Sequence, residues 1–193
     1  MVIATIIVAL ILLSALVNVL TDRYWFAEVH YSTVFSTMLW TRVVMFLVVG
    51  AVVGGVVAGN LYLAYRLRPL LRPSSTEQQA LDRYRMVLAG RMAWWIGIVS
   101  GLVAFFAGLS GQGHWQTWLL FANGGSFGVK DPQFGTDIGW YVFDYPFWRY
   151  LLGVGFTSII LALIGSLAVH YLFGGVRLQG RGDRITTGAR AQL

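Results

Sequence analysis

Four stretches of the chain, Val2–Leu20, Val43–Tyr65, Met92–Ser110 and Tyr150–Phe173, run for 19 to 24 residues each without an Asp, Glu, Lys or Arg. Nothing else constrains the fold as much. A hydrocarbon layer about 30 Å thick is crossed by roughly 20 apolar residues in a helix. In lipid the backbone must satisfy its own hydrogen bonds, so helices are expected. The continuous apolar runs also lack the alternation of barrel strands. Composition agrees: 57% of the 193 residues are hydrophobic and 11% are charged, against about a quarter charged in a soluble domain. One core of this size cannot hide so much apolar side chain, which excludes a soluble globular or disordered chain. The expected fold is all-α: one membrane module with four transmembrane helices.

The first span reads as retained rather than as a signal peptide. No Lys or Arg precedes it, and no small-x-small cleavage site follows. The chain has no Cys, so disulfides and thiolate metal sites are excluded.

Charge sets the expected threading. Residues 66–91 and 174–193 together carry ten Arg against three acidic residues, a net +7, while 21–42 and 111–149 carry four basic against five acidic, a net −1. The positive-inside rule then puts both ends and the Arg-rich loop 66–91 in the cytoplasm. That rule also accounts for the overall surplus of +6, so no nucleic-acid partner is expected. The expected partners are the bilayer and its anionic headgroups, with other membrane proteins or more of the same chain.

Small residues mark helix-packing faces. Gly50, Gly54, Gly55 and Gly59 form two Gly-x-x-x-Gly pairs in the second span. Gly97 and Gly101, with Ala93, form a stripe in the third. Ser158, Ala162, Ser166 and His170 form one in the fourth. Such spacing lets helix backbones approach closely, and packing among these four helices is expected before packing on a foreign partner. His170 is expected to make an interhelical hydrogen bond. No span holds an ionisable Asp, Glu, Lys or Arg, which counts against ion-coupled transport.

The loops carry their own signals. Pro69 and Pro73 stop the second span, and Ser74-Ser75-Thr76-Glu77 reads as a capping box before Leu81, Tyr84 and Leu88. The expectation is a short interfacial helix with Arg83 and Arg85 at anionic headgroups. The outer loop from His114 to Tyr150 holds 12 of the 29 aromatic residues in 37 positions. Trp115 and Trp118, with Trp140 and Trp148, suit a headgroup-level belt. Asn123-Gly124-Gly125 and Asp131-Pro132 are turn signals.

Chemistry-bearing motifs are incomplete. Gly124–Asp131 resembles a phosphate loop, but Val129 separates Gly128 from Lys130 and Asp131 stands where Ser or Thr belongs. Asp131 and Asp137 lack a calcium loop's twelfth ligand, since Val142 stands there. Gly108-Leu109-Ser110-Gly111 resembles an intramembrane-protease signature, yet His170 lies at the other end of a span and His114 follows helix-breaking glycines. No catalytic residue, cofactor or metal is expected. Two other classes remain open: a transporter with a polar path at Asn18 or Asn60, and a hydrolase using Ser110 and His114.

Longer matches identify a family resemblance. Thr21-Asp22-Arg23-Tyr24-Trp25-Phe26-Ala27-Glu28, Asn60-Leu61-Tyr62-Leu63-Ala64-Tyr65-Arg66 and Leu81-Asp82-Arg83-Tyr84-Arg85 are similar to segments of uncharacterised protein family 0182. So are Asp131-Pro132-Gln133-Phe134-Gly135, Val142-Phe143-Asp144-Tyr145-Pro146-Phe147 and His170-Tyr171-Leu172-Phe173-Gly174-Gly175-Val176-Arg177. The resemblance implies a multi-pass protein of the bacterial plasma membrane with no established activity. It also implies an amino-terminal membrane portion of a longer protein; the residues Thr186–Leu193 themselves read as the start of another helix. The functional expectation is a non-enzymatic anchoring or scaffold module of a larger membrane assembly; the alternative is part of a transporter or channel for an uncharged or lipid-like substrate.

Overall fold

A computed structural model describes residues 2–69, 86, 88–176 and 185–193. The expected interfacial helix, with Arg83, Arg85 and its capping box, lies outside the described residues. The fold is helical; among the described residues the only β pairings are two isolated bridges. Helix α1 is Val2–Glu28, α2 is Ser32–Arg66, α3 is Met92–Gln112 and α4 is Trp115–Ala122. A π-helical turn at Trp140–Asp144 leads into α5, Tyr145–Leu172, and a short α6 covers Thr187–Gln192.

Three of these are long and apolar enough to cross a membrane: Ser32–Arg66, Met92–Gln112 and Trp140–Leu172. Their bounds differ from the apolar runs. Helix α2 begins at Ser32 rather than Val43, because Arg42 and the polar residues before it are compatible with helix once they stand outside an apolar layer. Its 35 residues reach about 52 Å at 1.5 Å per residue. The fourth run is extended at its start by the π turn. Pro146 has no N–H to give the carbonyl of Val142, and a wider turn, closed by Tyr145 N–H on the Trp140 carbonyl, accommodates it. The stretch 111–149 is therefore only partly loop: α4 and the π turn occupy much of it.

Helix α1 turns into α2 through a left-handed residue, His30, at φ 60°. The amides of His30 and Tyr31 close on the carbonyls of Ala27 and Phe26 at 3.2 and 2.8 Å, the paired bonds of a Schellman ending. The same motif ends α5, with Gly174 at φ 78° and the Gly175 amide 2.7 Å from the His170 carbonyl.

The core lies along α2. Met45, Val49, Val53, Val57 and Leu61 recur every four residues and are all buried, a continuous ridge on one helix face. Helices α3 and α5 flank this ridge, and Val103 and Leu161 reach both halves of the core. By contrast, the α1 side chains that can be described are almost all exposed, and α1 meets α2 mainly near its end, where Phe26 and Phe35 approach to 5.8 Å. Leu102, Phe106, Phe156, Ile159 and Ile164 also face outward, each more than half exposed. Apolar surface this extensive suits lipid rather than water.

Candidate functional site: the helix seam and the two ends of the bundle

The α2–α3 seam is built from absent side chains. A Cβ on Gly54 would come within 2.6 Å of the Ala104 Cβ, and one on Gly50 within 2.8 Å of the Ala104 carbonyl oxygen. From the other side, a Cβ on Gly108 would meet the Phe46 carbonyl at 2.7 Å, and one on Gly111 the Val49 Cβ at 2.7 Å. Each helix thus receives the other's side chain where it has none of its own. Gly55, Gly59, Gly97 and Gly101 are different: among the described residues no atom lies within 4 Å of the Cβ position. Adjacent residues point about 100° apart on a helix, so Gly54 faces the seam while Gly55 faces out. The α3 seam runs through Ser100, Ala104 and Gly108, a line that sequence spacing alone does not distinguish from Gly97 and Gly101. Ser158, Ala162, Ser166 and His170 are all on the buried face of α5.

Several polar groups inside the helices close on their own backbones, although the buried Ser166 and Tyr150 hydroxyls have no partner among the described residues. Thr41 donates to the Thr37 carbonyl at 2.7 Å, Ser100 to Ile96 at 2.5 Å, Ser158 to Val154 at 2.7 Å and the Asn60 amide to Val56 at 3.0 Å. This back-bonding removes the cost of a bare donor in an apolar layer. It also turns the Asn60 side chain along its own helix rather than into a path.

At the Arg66 end, α6 folds back across α2 and α5. His170 is fully buried, and its Nε2–H donates to Gln192 Oε1 at 2.9 Å; Gln192 Nε2 in turn donates to the Asn60 carbonyl at 2.9 Å. One amide so ties three helices. Ala189 is fully buried, Gly188 packs on the Leu67 carbonyl, and the Thr186 amide reaches Gly175 O at 2.8 Å. Among the described residues His170 Nδ1 has no partner, and Gly175 leaves room for it: a Cβ there would lie 2.7 Å away. Nearby, the Arg68 guanidinium stacks 3.8 Å from the Tyr65 ring.

At the opposite end the loop before the π turn is organised by one carboxylate. Asp137 accepts from Ser126 Oγ at 2.6 Å and from the amides of Phe127, Gly128 and Gly139 at 3.0, 2.9 and 2.7 Å. The glycine-rich stretch that resembles a phosphate loop therefore does form an anion-binding nest, filled by the chain's own Asp137. The sequence motif offers Asp137 only as a calcium ligand. A Gly-rich turn with an acid downstream is the sole sequence hint of the nest, and no fixed spacing links the two. The Ser126 hydroxyl above all, then these amides, lower the Asp137 pKa from 3.8 to about 2. Because the folded value lies below the unfolded one, the loop's added stability is fully present above pH 3.8 and is lost as pH falls toward 2. Asp137→Ala is expected to remove amide-proton protection at Phe127, Gly128 and Gly139 at neutral pH, read by hydrogen exchange. Unchanged protection would mean the nest does not hold the loop.

The aromatic residues gather at this end. Trp118 packs on Phe147 at 5.4 Å, Phe121 stacks on Phe147 at 4.2 Å, and Phe127 stacks on Phe143 at 5.6 Å. Trp115 lies under Arg42, with the guanidinium 5.2 Å from the ring centre. The Ser110 hydroxyl is not joined to a base: His114 Nδ1 faces the Ser110 carbonyl at 3.0 Å, and its ring stacks on Tyr150 at 4.2 Å. No group of three or more metal-ligating side chains occurs among the described residues.

Comparison with known proteins adds the following. The model of the Uncharacterised protein family (UPF0182) matches residues 1–193. A UPF0182 protein of Salinispora arenicola is 60% identical over 173 residues, covering 90% of this chain and 17% of the relative. Relatives from Frankia casuarinae and Rhodococcus opacus are 45% and 46% identical over 100% of the chain, which covers 19% and 20% of them. The chain thus spans a fifth or less of the length of these curated relatives. No solved structure matches.

Proposed function

The chain belongs to the Uncharacterised protein family (UPF0182), and from that footing we propose that it is a non-enzymatic anchoring module of a larger assembly in the bacterial plasma membrane. Four helices cross in this reading: α2, α3, α5 and also α1, whose residues 2–20 carry no charge. The Arg66 end and both ends of the segment are cytoplasmic, since the basic surplus gathers there. The observation that carries the proposal is the local closure of four polar side chains within the long helices. The polar side chains of Thr41, Asn60, Ser100 and Ser158 bond to carbonyls of their own helices, which supports packing rather than conduction. The open small-residue faces at Gly55–Gly59 and Gly97–Gly101 leave room for further helices.

Because the chain has no cysteine, single-cysteine variants report position directly. An impermeant thiol reagent applied to intact cells is expected to label Gly125→Cys, to label Arg190→Cys only after permeabilisation, and to leave Asn60→Cys unlabelled in both states. Labelling at Asn60→Cys would favour a hydrated path and count against the anchoring reading. Reversed labelling at the other two positions would invert the threading.

A further inference from the structure

Arg42 is half-buried ten residues after α2 begins, and among the described residues the partner of its guanidinium is the Trp115 ring. It lines a cavity of about 320 Å³ with Leu109, Gln112, Gly113 and Trp115. Among the described residues no carboxylate lines this space, so a planar fork of five N–H donors lies over an indole, beside Gln112, with no anion. That fork suits a phosphate well.

The apolar surface beside the cavity has a direction. Leu109 lies one turn from Gln112 toward the middle of α3, and Phe105 lies one turn further. On α2, Phe46 is one turn inward from Arg42, and its ring meets that of Phe105 edge to face at 6.0 Å. Leu109 and Phe105 are 40% and 50% exposed. From Arg42 to Arg66 is 24 residues, or about 36 Å of helix, so Arg42 stands at headgroup level when Arg66 stands at the other face. The polar group therefore caps an apolar track that descends toward the bilayer centre, which is the polarity of a lipid in its leaflet.

We propose that this cavity seats the phosphate of an anionic phospholipid of the outer leaflet, with an acyl chain along Leu109, Phe105 and Phe46. The inference rests on the threading proposed above. An anionic rather than a zwitterionic headgroup follows from the lining: among the described residues it holds a cation without a carboxylate partner and no acid to receive a choline or ethanolamine.

Native mass spectrometry of the full 193-residue chain in detergent, titrated with phosphatidylglycerol or phosphatidylcholine, tests it. Phosphatidylglycerol is expected to be retained about tenfold better, the scale of one charge-assisted contact. Arg42→Gln should abolish that preference, Arg42→Lys should keep part of it, and Lys130→Gln should leave it unchanged. Helix content by circular dichroism should be the same in all variants, and inorganic phosphate should not compete. Equal retention of both lipids, a preference that survives Arg42→Gln, or displacement by inorganic phosphate would overturn the site. The Gly125→Cys labelling reads the threading separately: inverted threading with the preference intact would overturn only the outer-leaflet assignment.

Discussion

Gly54→Leu is expected to destabilise the helix bundle by about 3 kcal/mol, while Gly55→Leu, one residue away, is expected to be neutral or stabilising by up to about 1 kcal/mol. The difference is geometric. At Gly54 the first added carbon would already lie 2.6 Å from the Ala104 Cβ and 3.2 Å from the Ser100 carbonyl. Backbone and a β-carbon cannot rotate out of the way, so α2 and α3 must move apart. Loss of a helical glycine is by itself favourable, by roughly 0.5–1 kcal/mol, and at Gly54 the overlap outweighs it. At Gly55 nothing described lies within 4 Å, and the leucine projects from the bundle. Unfolding of the two variants in a denaturing detergent series, followed by helix content, checks this. Equal midpoints would mean that the α2–α3 seam does not run through Gly54.

Gln192→Leu should release α6 from the Arg66 end of the bundle, and His170→Leu added to it should restore much of the docking. The single change leaves the His170 Nε2–H without an acceptor in a fully buried site, at a cost of about 1–3 kcal/mol. It also removes the donor to the Asn60 carbonyl. A helix of six residues cannot hold itself together in isolation, so weak docking becomes loss of structure. Replacing both polar partners with apolar groups removes the stranded donor and the already unpartnered Nδ1 together. Exchange protection at the amides of Arg190 and Leu193, which bond to Thr186 and Ala189 at 2.9 Å, reports docking directly. If Gln192→Leu keeps full protection, the bridging amide is not what holds α6.

The long helices were legible because apolar length is a local property. Any run that must satisfy its backbone in lipid reads the same whatever surrounds it. The end of α5 was legible in the same way, from Gly174-Gly175 after an apolar run. Helix starts were less so: α2 reaches back to Ser32 and the α5 rod to Trp140, since polar residues at a water boundary are as compatible with helix as with loop. The Gly-rich segment 124–128 reads in the sequence as a turn and an incomplete phosphate loop, with no anion assigned to it. Asp137 fills the nest from about ten residues downstream, a pairing that no fixed spacing announces.

The sequence by itself therefore determined the kind of molecule: apolar helices with polar ends, an uneven spread of Arg, and small residues every fourth position. Only the tertiary structure decided which of those small residues meet a neighbour. Gly54 and Gly55 are the same residue in adjacent positions, and so nearly are Ser100 and Gly101. A rotation of about 100° separates them, and the face that turns inward is set by the fit of whole ridges, Ala104 into the gap at Gly50–Gly54 and Phe46 and Val49 into the gaps at Gly108 and Gly111. His170, Gln192 and Asn60 meet for the same reason, because burial of three helix ends against one another leaves a single amide to satisfy them.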